Sequence, residues 1–158
     1  MSHRNQPEHS EFTKDSGAVI PVAKAFRKCH VLIVEDERHI ARLLDHVLRK
    51  EGYEVTVTHG AEKALEEIQR KTPDALLLDI VLPGMSGLDL LREIRKNPSW
   101  AALVVLVLSG HWFKHDDPTL ADAGATAQCP KPIAPSKLIR KLQECGMTPL
   151  LPVESQVP

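Results

Sequence analysis

Five polar groups in this 158-residue chain stand where apolar runs of strand length stop. Glu35 and Asp36 follow Cys29-His30-Val31-Leu32-Ile33-Val34, and Asp79 ends Ala75-Leu76-Leu77-Leu78. Ser109 ends Leu103-Val104-Val105-Leu106-Val107-Leu108, and Lys131 follows the short run from Ala125 to Cys129. Any one of them alone also reads as a helix cap, a turn residue or a solvated loop residue. If all five meet, the chemistry is specific. Crowded carboxylates repel one another, and a hard divalent cation relieves this; oxygen ligands with room for water favour Mg2+. A metal-bound carboxylate beside a hydroxyl and an ammonium suits a phosphoryl group. The metal and the lysine neutralise its oxygens, and the serine donates a hydrogen bond. An aspartate can itself be the nucleophile and form an aspartyl phosphate.

For these groups to meet, the runs that carry them must be neighbouring strands pointing the same way. The runs lack polar alternation, so they read as strands buried on both faces, in a parallel sheet covered by helices. Helical stripes separate them. Ile40, Leu43, Leu44, Val47 and Leu48 form one, stopped by Gly52; Ala61, Ala64, Leu65 and Ile68 form another, ending before Pro73. Leu88, Leu91 and Ile94 mark a third that stops near Asn97-Pro98. Pro118 opens a short fourth helix, with Asp116 or Asp117 as its cap. Pro135 opens the last, with Leu138, Ile139 and Leu142 inward and Gly146 after its end. Tyr53-Glu54-Val55-Thr56-Val57 alternates partly, which predicts a strand nearer an edge, and its exit at Val57-Thr58 is expected away from the other four. Five strands alternating with five helices predict an α/β fold: a flavodoxin-like, doubly wound (βα)5 unit with a five-stranded parallel sheet in the order 2-1-3-4-5. Its carboxyl edge, where ligands of open α/β sheets bind, then receives the polar groups together.

Length fits one domain with a sizeable core. A net charge of −1 makes no global case for nucleic acid or a membrane surface. The eight histidines are scattered without metal-ligand spacing. Cys29, Cys129 and Cys145 form no CxxC pair and read as reduced thiols of a cytoplasmic protein. No apolar run reaches membrane length, and the polar start lacks a signal-peptide core. Residues 1–27 are expected to be a disordered tail whose only apolar patch is Ala18-Val19-Ile20-Pro21-Val22, residues 28–146 the domain, and residues 147–158 a disordered proline-rich tail.

On these residues the chain resembles the receiver domain of two-component response regulators. The likeness rests on Val31 to Glu37, on Leu78-Asp79-Ile80-Val81-Leu82-Pro83-Gly84-Met85-Ser86-Gly87, on Ser109, on Ala123-Gly124-Ala125 and on Lys131-Pro132. It covers about Cys29 to Gly146. The resemblance implies that Asp79 is the phosphoacceptor. It implies Mg2+ (or Mn2+) on Asp36, Asp79 and the backbone carbonyl of Val81, with Glu35 acting through a bound water. Ser109 and Lys131 would hold the phosphoryl oxygens, and the Lys131-Pro132 bond would be cis. The donor would be a phosphohistidine of a sensor histidine kinase or histidine phosphotransfer protein. Such a domain is not an enzyme beyond self-phosphorylation from small donors and autodephosphorylation. No output domain fits after Gly146, so a stand-alone receiver is expected. It would act on a downstream protein target, without direct DNA binding or membrane attachment, as a monomer or weak homodimer.

Two positions depart from the family's habit. Glu35-Asp36 replaces the commoner pair of aspartates, which should leave the metal site intact. Gln128 stands where the family usually has Tyr or Phe. Swinging that amide inward would cost about 1–3 kcal/mol if it stayed unsatisfied. Gln128 is therefore expected not to act as an inward rotamer switch, and the response is expected in the loop that begins at Gly110 and carries Trp112 and Phe113. Three rival readings are a phosphatase with an aspartyl nucleophile, a flavodoxin-like cofactor binder and a degenerate receiver used only as an interaction module. The first wants an acid two residues after Asp79, where Val81 stands. The second wants a phosphate-cradling loop where Glu35-Asp36-Glu37 would repel phosphate. The third sits poorly with intact Asp36, Asp79, Ser109 and Lys131.

Overall fold

The three most apolar runs form the middle of the sheet. β1 (His30–Val34) and β3 (Ala75–Asp79) are buried at every position, and β4 (Val104–Ser109) at all but its first. β2 (Glu54–Thr58) and β5 (Ala127–Pro130) are only partly buried and close the two edges. All five are parallel in the order β2-β1-β3-β4-β5, as the run pattern predicts. The computed structural model describes residues 27–110 and 117–149, and also two short strand pieces, Lys14–Asp15 and Ala18–Val19, paired antiparallel. The tail readings at the two ends fall mostly outside the described residues, as do Trp112 and Phe113.

Helices cover both faces. α1 (Arg38–Lys50) and α5 (Pro135–Glu144) lay Leu44, Leu48, Leu138 and Leu142 over Val31, Ile33, Leu77 and Leu106. On the opposite face, α2 (Ala61–Arg70), α3 (Gly87–Lys96) and the short α4 (Pro118–Asp122) pack Ile68, Leu90, Leu91, Ile94 and Leu120 onto Leu32, Leu76, Val105 and Val107. These side chains are essentially fully buried, and each contributes about 1.5–3 kcal/mol of transfer free energy. No helix among the described residues is long and apolar enough to cross a membrane.

Local chemistry sets the element ends. Asp117, not Asp116, caps α4, its carboxylate accepting the Thr119 N–H at 2.8 Å. β5 begins two residues later than the apolar run suggests. The Ala125 N–H is used by the carbonyl of Leu120, within α4, at 3.0 Å, and so cannot enter the ladder. The Lys131-Pro132 bond is cis. At the opposite edge Tyr53 donates to the Met147 carbonyl at 2.6 Å, and Arg27 pairs with Asp74 at 2.5 Å.

Candidate functional site

The register decides which groups meet. Val34 stands beside Leu78 and Thr58, Asp79 beside Leu108, and Ser109 beside Pro130. The strand exits therefore form one row, and Glu35, Asp36, Asp79, Ser109 and Lys131 all emerge along it. Lys131 leaves β5 and reaches past β4. Its Nζ donates to Asp79 Oδ2 at 2.9 Å and to Glu35 Oε2 at 2.8 Å. Its backbone N–H is held by the Ser109 carbonyl at 2.7 Å, which ties the start of this reach to the end of β4. Ser109 is buried.

Asp79 is 5% exposed and Glu35 wholly buried, while Asp36 faces solvent. Asp79 Oδ1 also accepts the Val81 N–H at 3.1 Å, which orients the carboxylate toward the β3–α3 loop. Glu35 Oε1 accepts the Glu37 N–H at 3.2 Å. One oxygen from each of Glu35, Asp36 and Asp79 lies within 4.8 Å of the others. This all-oxygen set suits a hard cation, because three carboxylates face one ammonium and two of them are withdrawn from water.

Burial pushes the Glu35 carboxyl up to about 7; the nearby Asp79 charge adds to this, and the Lys131 hydrogen bond opposes it. Burial works against a charged Lys131, but the hydrogen bonds and charges of Glu35 and Asp79 outweigh it and hold the ammonium above its ordinary value. Lys131 is thus a fixed cation, and Glu35 is a carboxyl that changes charge near neutrality.

The exit of β2, expected to lie apart, adjoins the cluster. The Glu35 N–H donates to the Thr58 carbonyl at 3.1 Å, and His59 Nδ1 donates to the Glu35 carbonyl at 2.8 Å. A carbonyl only accepts, so the ring proton is on Nδ1. β2 pairs with β1 to its last residue, and His59, the next residue, reaches the Glu35 carbonyl.

Two further supports went unread in the sequence. Glu62, in the first turn of α2, accepts the Met85 N–H at 3.1 Å and steadies the β3–α3 loop; nothing in its sequence surroundings signals that contact. Gly87 lies against the back of Asp79. A Cβ there would run into the Asp79 carbonyl oxygen and come within 2.8 Å of Ile80 Cα. The glycine is legible in the run Gly84 to Gly87, but the reason for it is the close approach.

Gln128 does not join the cluster. It lies on the face of β5 that looks toward α4. There its Nε2 donates to the Asp117 carbonyl at 3.0 Å, and its Oε1 accepts the Asp117 N–H at 3.3 Å. Gly110 follows the end of β4.

The arrangement presents a carboxylate at the mouth of a parallel sheet, with an ammonium already beside it and further acidic oxygens to hold a metal. Residues 31–143 match the response regulator receiver domain. Among curated proteins, the chain is 38% identical over 116 residues to the uncharacterized transcriptional regulatory protein YkoG of Bacillus subtilis, covering 73% of this chain and 50% of that protein. It is 37% identical over 113 residues to the sensory transduction protein RegX3 of Mycolicibacterium smegmatis, covering 72% and 48%. The chain spans about half the length of the curated relatives it matches. Among solved structures, chemotaxis response regulator CheY4 of Vibrio cholerae superposes with a TM-score of 0.71 at 26% identity, covering 75% of this chain and 99% of that one. A CheY-like response regulator receiver domain protein of Methanospirillum hungatei gives 0.68 at 30%, covering 75% and 93%.

Proposed function

This chain belongs to the response regulator receiver domain family, and from that premise we propose that it takes a phosphoryl group onto Asp79 from a phosphohistidine of a sensor histidine kinase or phosphotransfer protein, and signals through altered protein contacts. The observation that carries the reading is the Lys131 ammonium held 2.8–2.9 Å from both Glu35 and Asp79. An Asp79 carboxylate oxygen forms the new O–P bond as the donor's N–P bond breaks, and the imidazole nitrogen keeps the electron pair. Lys131 exchanges its Asp79 contact for a phosphoryl oxygen, and the Ser109 hydroxyl donates to another. Glu35, Asp36 and Asp79, with the Val81 carbonyl, would hold Mg2+ (or Mn2+), which neutralises phosphoryl charge when bound.

Intact mass spectrometry after incubation with acetyl phosphate and Mg2+ tests this. Wild type should gain one phosphoryl group. Asp79→Asn, Asp36→Ala and wild type in EDTA should gain none. An adduct that survives in Asp79→Asn, or that ignores EDTA, refutes the assignment.

A further inference from the structure

β2 closes one edge of the sheet, and only part of that edge is covered. Along a strand, successive residues turn their backbone groups to opposite sides. The Glu54 N–H donates to the Cys29 carbonyl at 2.9 Å, and the Thr58 carbonyl accepts the Glu35 N–H at 3.1 Å. In the register of β2 on β1, Glu54, Thr56 and Thr58 therefore face β1, while Val55 and Val57 face outward. α1 covers the first of these. Arg49 Nη2 donates to the Val55 carbonyl at 2.7 Å, and Asp45 accepts from Arg49 Nε at 2.7 Å, which fixes the guanidinium there. At Val57 neither the N–H nor the carbonyl has a partner among the described residues. Unpaired edge groups are a template for another chain, and proteins ordinarily blunt them, as Arg49 does at Val55.

Val57 lines a cleft of about 280 Å3 between β2 and α1. Arg38 and Arg42, one turn apart on α1, line it too, with His59, whose Nδ1 is already held by the Glu35 carbonyl. Both arginines are exposed, and neither makes a salt bridge among the described residues; Asp45, the acid of the cleft, is taken by Arg49. The cleft thus offers one open backbone pair and two guanidiniums without a counter-charge. A guanidinium matches a carboxylate through two parallel hydrogen bonds. A simple anion would use the arginines and leave Val57 unpaired, and an uncharged strand would do the reverse. Only an acidic strand uses both. A second copy of this chain is opposed, because two-fold pairing through this edge would bring the arginines of both copies together.

We propose that the β2 edge at Val57 takes an extended acidic segment of a partner protein by strand addition, the segment's backbone pairing with Val57 and its carboxylates with Arg38 and Arg42. This stands on β2 and α1 and not on the phosphoacceptor reading of Asp79.

Titrating the full chain with a capped peptide of alternating valine and glutamate, followed by backbone and arginine side-chain NMR shifts, tests this. Shifts should centre on Val57, His59 and the Nε groups of Arg38 and Arg42, and hydrogen exchange of the Val57 amide should slow. Glutamine for glutamate in the peptide, or Arg38→Gln with Arg42→Gln in the protein, should weaken binding roughly fivefold, the product of two exposed ion pairs. N-methylating the peptide throughout removes its donors and should weaken binding by at least about fivefold. Lys137→Gln with Lys141→Gln, on α5, should leave the affinity unchanged. Asp79→Asn should bind the peptide as wild type does, whatever its phosphorylation assay gives, so the two readings fail separately. The absence of shifts at Val57, equal affinity for the glutamine or N-methylated peptide, or equal weakening by the α5 variant would overturn the proposal. Inorganic phosphate that shifts the same amides at the same concentrations would make the cleft a simple anion site and overturn strand addition. Concentration-dependent shifts at Val57 without peptide would give the edge to a second copy and overturn it as well.

Discussion

Replacing Lys131 by methionine removes the one ammonium held between Glu35 and Asp79, and the cost should depend on pH in a defined direction. At pH 6 the Glu35 carboxyl, which titrates at about 7, is mostly protonated in wild type. The loss is then that of the Asp79 pair and the accompanying hydrogen bonds, about 1–3 kcal/mol. Above pH 7 the wild-type carboxyl ionises against Lys131. In the variant that stabilising charge, 2.8 Å away, is gone, so the folded-state value climbs further. A carboxyl raised on folding binds more protons in the native than in the unfolded state between its ordinary and its folded value. Stability therefore falls as pH rises through that interval. Wild type stops falling near pH 7, whereas the variant continues at about 1.4 kcal/mol per pH unit up to its new, higher value. The gap between them should widen by up to about 2.7 kcal/mol from pH 7 to pH 9. Lys131 itself, held above its ordinary value, does not titrate in this window. Urea denaturation of both proteins at pH 6, 7, 8 and 9 in EDTA measures the gap, and added Mg2+ should narrow it. A gap that stays constant or shrinks as pH rises would refute the electrostatic account of the cluster.

Gly87→Ala should cost about 1–3 kcal/mol by urea denaturation, because its methyl overlaps the Asp79 carbonyl. It should also slow adduct formation with acetyl phosphate in samples that remain folded; a variant within about 0.5 kcal/mol of wild type would contradict the close approach. His30 is buried, with Nε2 paired to the Thr56 hydroxyl at 2.9 Å and no partner for Nδ1 among the described residues. Burial holds it below its ordinary value, with Lys71 and Arg27 adding to this and Glu54 and Asp74 opposing. Below its unfolded value of about 6.5 the unfolded state binds the extra proton, so stability is lost as pH falls. From pH 7.5 to 5.5 wild type should lose stability relative to His30→Leu, and parallel urea midpoints would contradict this.

Much of the fold and the cluster is legible in the sequence, because both follow from one repeated feature. Short apolar runs without alternation, bounded by turn residues, read as buried strands, and strands separated by helices run parallel. Parallel strands put their exits on one edge, so Glu35, Asp36, Asp79, Ser109 and Lys131 were bound to gather wherever their runs became neighbours. Periodicity carries no information about reach across loops. It does not show the Lys131 ammonium standing between Glu35 and Asp79, nor His59, just past β2, meeting the Glu35 carbonyl. The family resemblance marks Gln128 as unusual but leaves open what the amide does, since Asp117 lies 11 residues away and on a different element. Those contacts depend on where a side chain ends after the backbone has turned. Only the packed tertiary structure fixes that distance, to within the few tenths of an ångström that separate a hydrogen bond from none.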